Sequence, residues 1–213
     1  MKTDDLIDLL ASGPDVRVEA PPPQRDLAPL LLGVCGSVAV MLATLGIRRD
    51  LFAALGGAIF WIKVAFAGSL AWAAIHAARR LAVPGAPLGR TWLWIALPFL
   101  AIWTIAAAVL WQAAPDARAA LLLGRSWRVC PFWITVVSLP VFGAALAVMR
   151  RRAPTRPALA GAAAGLAAGA VGTLVYCLHC PESSAAFVAV WYVLGLLAPA
   201  ALGVLIGSRL LRW

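Results

Sequence analysis

The sequence is poor in charge and has no acidic residue inside its long apolar stretches. Charged residues make up 13% of the 213 residues and hydrophobic residues 63%, a balance that excludes an ordinary soluble globular domain. Beyond residue 26 the acidic residues are Asp50, Asp116 and Glu182, and each lies between apolar stretches or at the end of one. Because proton- and cation-coupled transporters usually need acids within the membrane, a small metal exporter is disfavoured.

The apolar stretches also lack the two-residue alternation of barrel strands and any internal repeat. Six of them reach the length of about 20 residues that a helix needs to cross a bilayer. Backbone groups in lipid must find partners within their own segment, which favours helices. The sequence therefore predicts an all-α fold, a polytopic membrane bundle of six transmembrane helices. The predicted spans cover residues 27–47, 56–78, 91–112, 129–149, 158–178 and 184–208.

The cations are concentrated on one side of the predicted bundle. With the N-terminus inside, cytoplasmic segments contain 12 of the 18 Lys and Arg residues, and the opposite side contains five. The positive-inside rule then predicts a multi-pass protein of the bacterial inner membrane with both termini in the cytoplasm. The Arg residues lie in short loops beside the spans, so the net charge of +9 indicates topology and no direct nucleic-acid partner. The acidic tail before the first span argues against a cleaved signal peptide.

Residues 1–26 are predicted to form a cytoplasmic tail separate from the transmembrane domain at 27–213. Thr3 is a suitable N-cap for a short amphipathic helix that ends by Gly13-Pro14, and Pro21-Pro22-Pro23 then make a stiff spacer. A short acidic helix on a tether is typical of a segment that orders on a partner. The alternatives are a frayed tail or a helix lying on its own membrane, although anionic lipid attracts Lys and Arg. The predicted partner-binding residues are Asp4, Asp5, Leu6, Ile7, Asp8, Leu9 and Leu10.

Glycines recur at every fourth residue in the last two predicted spans. Gly161, Gly165 and Gly169 lie in the fifth span, and Gly203 and Gly207 lie in the sixth. Small residues at this spacing let helix backbones approach closely. Packing within the bundle is the favoured interpretation, and a homo-oligomer interface is the alternative.

Lys63 is the one charge predicted well inside a span. A charge at the centre of a membrane helix costs about 2.5–3.5 kcal/mol on insertion scales. Lys63 lies in the non-cytoplasmic half of the second span, so its ammonium can extend outward to the interface or pair with backbone carbonyls. Either structural role is favoured over a catalytic one.

The connection between the fifth and sixth spans has no Lys or Arg, and it is rich in thiols. Residues 176–182 read Tyr-Cys-Leu-His-Cys-Pro-Glu, and the topology puts them on the non-cytoplasmic side, where thiols can meet oxidants and metals. Cys130, at the start of the fourth span, is predicted at the same surface. Cys35, within the first span, is interpreted as a small apolar residue.

These thiols suggest two kinds of chemistry. They can bind a thiophilic metal transiently, with no constitutive cofactor, because soft thiolates favour such metals. They can instead form a disulfide between the fourth and fifth spans if the Cα atoms lie within about 7 Å. A third possibility is a membrane thiol–disulfide carrier that uses the Cys-x-x-Cys pair, although no cytoplasmic cysteine is present to receive the electrons. The candidate sensing residues are Cys130 and Cys180, with Cys177, His179 and Glu182 as further candidates.

Several motifs together resemble those of a known family. They are the opening Met-Lys-Thr-Asp-Asp-Leu-Ile-Asp-Leu-Leu, Phe-Trp-Ile-Lys at 60–63, a cysteine before the fourth span, His-Cys-Pro-Glu at 179–182, and Trp191-Tyr192. With six spans, this combination resembles the NrsF-type inner-membrane anti-sigma factors, negative regulators of extracytoplasmic-function (ECF) sigma factors. The resemblance covers nearly the whole chain.

The resemblance implies a regulator and not an enzyme. Its partner would be an ECF sigma factor, held inactive until two non-cytoplasmic cysteines sense heavy metal or oxidant. By position these cysteines match Cys130 and Cys180, whereas Cys177 has no counterpart in the family pattern. Contact with the sigma factor through the N-terminal helix is inferred from that helix's own chemistry and from the topology.

Overall fold

The computed structural model describes residues 3–12 and 24–212, and all regular secondary structure in these ranges is helical. The all-α fold predicted from the sequence is therefore confirmed. A π-helical turn at Val188–Tyr192 lies between α9 and α10. The helices are α1 Thr3–Ala11, α2 Gln24–Thr44, α3 Leu51–Leu55, α4 Ala58–Leu81, α5 Thr91–Gln112, α6 Pro115–Leu123, α7 Cys130–Arg151, α8 Pro157–Tyr176, α9 Ala185–Phe187 and α10 Val193–Leu210.

Six of the described helical segments are long and apolar enough to cross a membrane. They are Arg25–Thr44, Ala58–Leu81, Thr91–Gln112, Cys130–Arg151, Pro157–Tyr176 and Ala185–Leu210. Each corresponds to one predicted span, with ends that differ by a few residues. One difference matters for the site: α8 ends at Tyr176, two residues before the predicted end, so Cys177 is its C-cap.

Helix α8 lies at the centre of the bundle. Of its most apolar window 72% is buried, compared with 17% for α5, and it contacts α10, α7 and α4. The sequence of α8 is dominated by Ala and Gly, which leaves room for neighbouring helices to approach from several sides. A helix rich in small residues therefore occupies the centre of the bundle, packed against α4, α7 and α10.

The glycines of α8 and α10 face each other at backbone distance. A Cβ atom built on Gly161 would lie 2.0 Å from the carbonyl oxygen of Gly203, and one on Gly203 would lie 2.1 Å from that of Gly161. One on Gly165 would lie 2.1 Å from the carbonyl oxygen of Pro199. No side chain fits these gaps, which confirms the prediction that the glycines serve packing within the bundle.

The N-terminal segment forms the predicted short helix. Thr3, the predicted N-cap, is the first helical residue of α1, and the amide of Ser12 donates to the carbonyl of Asp8 at 2.9 Å where the helix ends. Leu6 and Ile7 are exposed. The side chains of Leu9 and Leu10, Gly13-Pro14 and the proline spacer lie outside the described part of the molecule.

An ion pair joins the start of α2 to the end of α7. Arg152 donates through Nε to Asp26 Oδ2 at 3.1 Å, and its Nη2 contacts the same oxygen. Asp26 is the last residue of the tail defined from the sequence, so this pair lies where the tail meets the bundle.

Candidate functional site

Three of the four cysteines meet at one end of the bundle, and we call Cys130, Cys177 and Cys180 the thiol cluster. All three side chains are fully buried and all three are free thiols. Cys130 begins α7, where Pro131 is tolerated because the first helical turn has amides without intrahelical partners. Cys177 caps α8, and the amide of Cys180 donates to the carbonyl of Tyr176 at 3.0 Å in the turn that follows. The ends of two helices therefore bring the cluster together.

Cys130 and Cys180 are direct neighbours, so the structure brings together the two principal candidates from the sequence. The neighbouring Cys130 thiol, together with the positive charge of Lys63, lowers the pKa of Cys180 below its ordinary value despite desolvation. Cys180 is therefore the member of the pair better prepared to become a thiolate.

Cys177 has a different environment from Cys180. Its burial raises the pKa of the thiol to about 12, against the opposing charge of Lys63. The thiolate is the reactive form of cysteine, so Cys177 is poorly suited to react first. Its side chain interacts with the hydroxyl of Tyr192, which places it in the wall of the cluster.

Two buried tyrosines line the cluster, and the sequence analysis did not identify either as a site residue. The rings of Tyr176 and Tyr192 meet edge to face with centroids 5.9 Å apart. The hydroxyl of Tyr192 has no well-aligned hydrogen bond within the described residues, and the side chains it interacts with are the thiols of Cys177 and Cys180. Tyr192 ends the π-helical turn at Val188–Tyr192, a kind of irregularity that is frequent at functional sites. The sequence signal that could have identified Tyr192 is the pair Trp191-Tyr192, which was noted above only as part of a family resemblance.

Lys63 contacts the cluster from α4. Its ammonium donates to the carbonyl oxygens of Cys180, at 3.4 Å, and of Glu182, and it lies 5.6 Å from the centroid of the Tyr192 ring. The residue is 1% exposed. Of the two structural roles considered for Lys63, the contacts are those of pairing with backbone carbonyls, and the 180–182 segment covers the ammonium.

His179 and Glu182 point away from the thiols. His179 Nδ1 lies 3.0 Å from the carbonyl oxygen of Gly46. The Glu182 carboxylate accepts hydrogen bonds from the amides of Arg125, at 2.8 Å, and Ser126, at 3.0 Å, and from the Ser126 hydroxyl at 3.0 Å. The five candidate ligands are therefore not gathered around one point. The described residues contain no group of three or more His, Cys, Asp or Glu side chains arranged to hold a metal ion.

Glu182 instead connects the two segments that carry the reactive thiols. Glu182 binds Ser126, and the carbonyl of Ser126 accepts a hydrogen bond from the amide of Cys130 at 2.9 Å. Gly124 leaves no room between this loop and the carboxylate, since a Cβ there would lie 2.5 Å from Glu182 Oε2. Its φ of +54° is also one that favours glycine. The Glu182 side chain therefore fixes the position of Cys130 relative to Cys180.

The connection after α2 closes the cluster from another side. The amide of Arg48 donates to the carbonyl of Leu178, and its Nη1 donates to that of Cys180, both at 3.1 Å. The guanidinium also forms two hydrogen bonds with Asp50, at 2.8 and 2.6 Å, and these hold the pKa of the Asp50 carboxyl at about 2. Sequence analysis used Arg48 only for topology and missed this role, because a partner 132 residues away leaves no local pattern.

The arrangement permits thiol chemistry between two helices. Two adjacent reduced thiols, one of them with a lowered pKa, can be joined by oxidation or bridged by a soft metal ion. The surrounding tyrosines and loops exclude bulk water, so a reagent must be small or the loops must open before it reacts.

Comparison with known proteins gives matches along the whole chain. The family model NrsF, described as "Negative regulator of sigma F", matches residues 10–213. A curated protein of Azospira oryzae, "Probable anti-sigma-F factor NrsF", is 49% identical over 214 residues, which is 100% of both chains. One of Caulobacter vibrioides, "Anti-sigma-F factor NrsF", is 44% identical over 220 residues, again 100% of both. No solved structure matches. The family match includes every residue of the thiol cluster and all six candidate spans, and the chain therefore belongs to the NrsF family of negative regulators of sigma F.

Proposed function

We propose that this protein is an inner-membrane anti-sigma factor that sequesters an ECF sigma factor and releases it when Cys130 and Cys180 react with oxidant or heavy metal. The observation that carries the proposal is the contact between these two thiols, which come from the start of α7 and the turn after α8 and lie at the end of the bundle opposite the Asp26–Arg152 pair. The family supplies the regulatory partner, a sigma factor. The uneven distribution of Lys and Arg supports an inner-membrane topology with both termini in the cytoplasm.

The N-terminal helix is the proposed contact with the sigma factor. Leu6 and Ile7 are exposed on α1, and Asp4 and Asp5 lie in its first turn. An acidic, apolar helix of this kind suits a partner whose surface is basic because it binds DNA, and complementary charge aids encounter and specificity. The family model begins at residue 10, so this part of the proposal is supported by the chemistry of α1 itself. Asp8, Leu9 and Leu10 complete the proposed contact.

The proposed oxidation joins α7 to the end of α8 in two balanced steps. The Cys180 thiolate attacks a peroxide oxygen, the O–O bond breaks, a sulfenic acid forms and hydroxide leaves. The Cys130 thiol then attacks the Cys180 sulfur, an S–S bond forms and the sulfenic oxygen leaves as water. A thiophilic divalent metal would instead be held by the sulfurs of Cys130 and Cys180, and the thiol protons would be released to solvent. Neither route needs a resident cofactor.

Helix α7 offers a direct path from the thiols to the tail. Its 22 residues span about 33 Å at 1.5 Å per residue, from Cys130 at one end to Arg150 and Arg151 at the other. The next residue, Arg152, forms the ion pair with Asp26, where the tail joins the bundle. A displacement of Cys130 that moves α7 would therefore be felt at the attachment of the tail. Regulation further requires two bundle arrangements that differ in their affinity for the sigma factor.

The test is capture of a sigma factor by the detergent-solubilised protein, with and without residues 1–11. We expect the intact chain to retain an ECF sigma factor and the shortened chain to lose it. Peroxide or Cd²⁺ added to the complex should then release the sigma factor from the wild type. Release should fail in the C130S and C180S variants and persist in C35S, because Cys35 lies on the exposed face of α2.

Two outcomes would contradict the proposal. Retention by both chains would exclude α1 as the contact, and release from C130S/C180S equal to that of the wild type would exclude the thiol pair as the sensor. The alternative, a thiol–disulfide carrier using Cys177 and Cys180, predicts reductase activity that C177S abolishes. The high pKa of Cys177 speaks against that alternative, because the carrier would need both thiols to exchange.

A further inference from the structure

An open groove lies between α7 and α10, at the end of the bundle opposite the thiols. Its volume is about 460 Å³, within the range of roughly 300–1,000 Å³ that is usual for clefts that bind small molecules. Two of the residues that line it are cations, the others are apolar, and none is an acid. The lining residues are Gly143, Leu146, Ala147, Arg150, Arg151 and Leu210.

The apolar and the cationic parts of the groove lie at different depths. Gly143 is inside α7, whereas Arg150 and Arg151 are in its last turn, so about 10 Å along the helix axis separates the two parts. Helix α7 is one of the six candidate membrane spans, and it ends at Arg151. The apolar part therefore lies at the depth of the lipid chains, and the two guanidinium groups lie where the head groups begin.

Arg150 and Arg151 differ from the arginine that follows them. Arg152 is paired with Asp26, whereas neither Arg150 nor Arg151 belongs to an ion pair among the described residues. Both are exposed. Cations in the last turn of a helix suit its dipole and the topology of a membrane protein, but neither effect requires that they line a groove. Both guanidinium groups are therefore available to an anionic ligand in the groove.

The apolar part of the groove has room for an acyl chain. A Cβ atom built on Gly143 would have no neighbour within 4 Å, and Ala147, one turn further along α7, also has a small side chain. Leu146 is buried beneath them, and Leu210 is exposed on α10. Small residues thus open the surface between two apolar walls, at a depth where the surrounding molecules are lipids.

We propose that this groove binds one anionic phospholipid. One of its acyl chains lies over Gly143 and Ala147, against Leu210. Its phosphate is bound by Arg150 and Arg151, in line with the binding of anionic head groups by basic pockets between membrane helices on the cytoplasmic side. In the proposed topology the lipid belongs to the cytoplasmic leaflet. The inference goes beyond the proposed function and requires neither the sigma factor nor the thiols.

Two other occupants fit the groove less well. Helix α1 is acidic, with Asp4 and Asp5 in its first turn, and a groove that reaches two turns into a span would draw these charges towards hydrocarbon. A second copy of the chain related by two-fold symmetry would bring a second set of arginines to the same end of the interface, where like charges repel. A phospholipid supplies both the anion and the chain at the required depths.

The test is native mass spectrometry of the full-length protein in detergent, titrated separately with dioleoylphosphatidylglycerol and dioleoylphosphatidylcholine. The two lipids have the same acyl chains, and phosphatidylcholine has no net charge. We expect the wild type to bind the first phosphatidylglycerol about tenfold more tightly than phosphatidylcholine. Soluble glycerol phosphate, which has the anion without the chains, should not displace the bound lipid.

The first variant removes the two cations of the groove. Each basic residue near an anionic lipid contributes roughly a factor of five, so R150Q/R151Q should bind phosphatidylglycerol about thirtyfold more weakly. The matched control is R79Q/R90Q, because Arg79 ends α4 and Arg90 precedes α5 at the same end of the bundle. Both are exposed and neither lines the groove, so the control should bind like the wild type.

The second variant fills the apolar part and keeps both cations. In G143L the new side chain would displace about two methylene groups of the acyl chain, which should weaken binding of phosphatidylglycerol about tenfold. G68L is its matched control, because Gly68 also lies inside a span, has no neighbour within 4 Å of its Cβ position and does not line the groove. Its affinity should equal that of the wild type.

Equal binding of the two lipids by the wild type would overturn the proposal without any variant, as would displacement by glycerol phosphate. Equal losses in R150Q/R151Q and R79Q/R90Q would indicate a general attraction to the basic end of the bundle, and an unchanged affinity in G143L would mean that the groove is not the site. Tighter lipid binding by a chain without residues 1–11 would assign the groove to α1, and a dimer that G143L dissociates would assign it to a second copy. Each of these outcomes would overturn the proposal and leave the proposed function intact.

Discussion

The two ends of the bundle are built in opposite ways. At the thiol end, side chains from distant segments tie the connections together: Arg48 binds the 178–180 segment, Lys63 binds residues 180 and 182, and Glu182 binds the loop before α7. At the other end, the described residues provide the Asp26–Arg152 pair and an open groove of about 460 Å³ between α7 and α10.

The difference separates the proposed chemistry from the proposed contact. Thiols that are closed off from water are protected from casual reaction, whereas the exposed Leu6 and Ile7 of α1 can meet a protein partner. In the proposed mechanism a change at the thiols reaches the tail through α7. That requires a rigid central pair, α8 and α10, against which α7 packs.

The largest expected effect comes from breaking that rigid connection. In G161L a side chain would enter a gap where even a Cβ lies 2.0 Å from the Gly203 carbonyl oxygen. Overpacking against backbone cannot be relieved by a rotamer change, so we expect a loss of stability of about 4 kcal/mol or more, or failure to fold. Thermal unfolding in detergent measures it.

G143A is the matched control for G161L, because a Cβ at that glycine of α7 has no neighbour within 4 Å. G143A should match the wild type in melting temperature or exceed it slightly, since Ala favours a helix over Gly. If G161L has the same melting temperature as G143A, the close approach of α8 and α10 is not what stabilises the bundle.

The second-largest effect is expected at the thiol end alone. In G124A the added Cβ meets the Glu182 carboxylate at 2.5 Å, so the carboxylate must leave the amides of residues 125 and 126. Loss of hydrogen bonds to a charged group costs about 1.5–3 kcal/mol, and we expect about tenfold faster alkylation of the thiol cluster. The global melting temperature should fall by only a few degrees.

G85A separates this clash from the cost of backbone conformation. Gly85 also has a positive φ, of 76°, but nothing lies within 4 Å of its Cβ position. In G85A the thiols of the cluster should be alkylated at the wild-type rate. Equal acceleration in both variants would mean that backbone strain, and not the position of Glu182, controls access to the thiols.

A smaller effect is expected at the open end. The Asp26–Arg152 side chains are 22% and 27% exposed, so the pair should contribute about 1 kcal/mol or less. D26R and R152D should each weaken the response of sigma-factor release to oxidant while leaving alkylation of the thiols unchanged. The double variant D26R/R152D restores opposite charges and should recover the response. Identical release in all four proteins would remove this pair from the path between the thiols and the tail.

Features that lie within one segment could be predicted from the sequence, whereas contacts between distant segments could not. The six spans and the glycine packing follow from composition and local spacing, which lie within single segments. Topology predicted Cys130 and Cys180 at the same surface, but their contact and the roles of Arg48, Tyr192 and Glu182 depend on contacts between segments far apart in the chain. His179 and Glu182 have the chemistry of metal ligands, but their orientation depends on backbone groups near residues 46 and 125, which no motif records.

The smallest expected effect concerns the pH dependence of the Arg48–Asp50 pair at the thiol end. The pKa of Asp50 is held at about 2 by Arg48, below its ordinary value, so the unfolded state binds the proton more readily than the folded state. The pair therefore stabilises the fold at pH values above about 4, and this contribution disappears as the pH falls through about 2. The difference in melting temperature between wild type and D50N should be small, constant from pH 8 to pH 5, and reduced at pH 3. A difference that instead grew on acidification would mean that Asp50 is protonated in the fold, and the closure of the thiol end by Arg48 would then not depend on this pair.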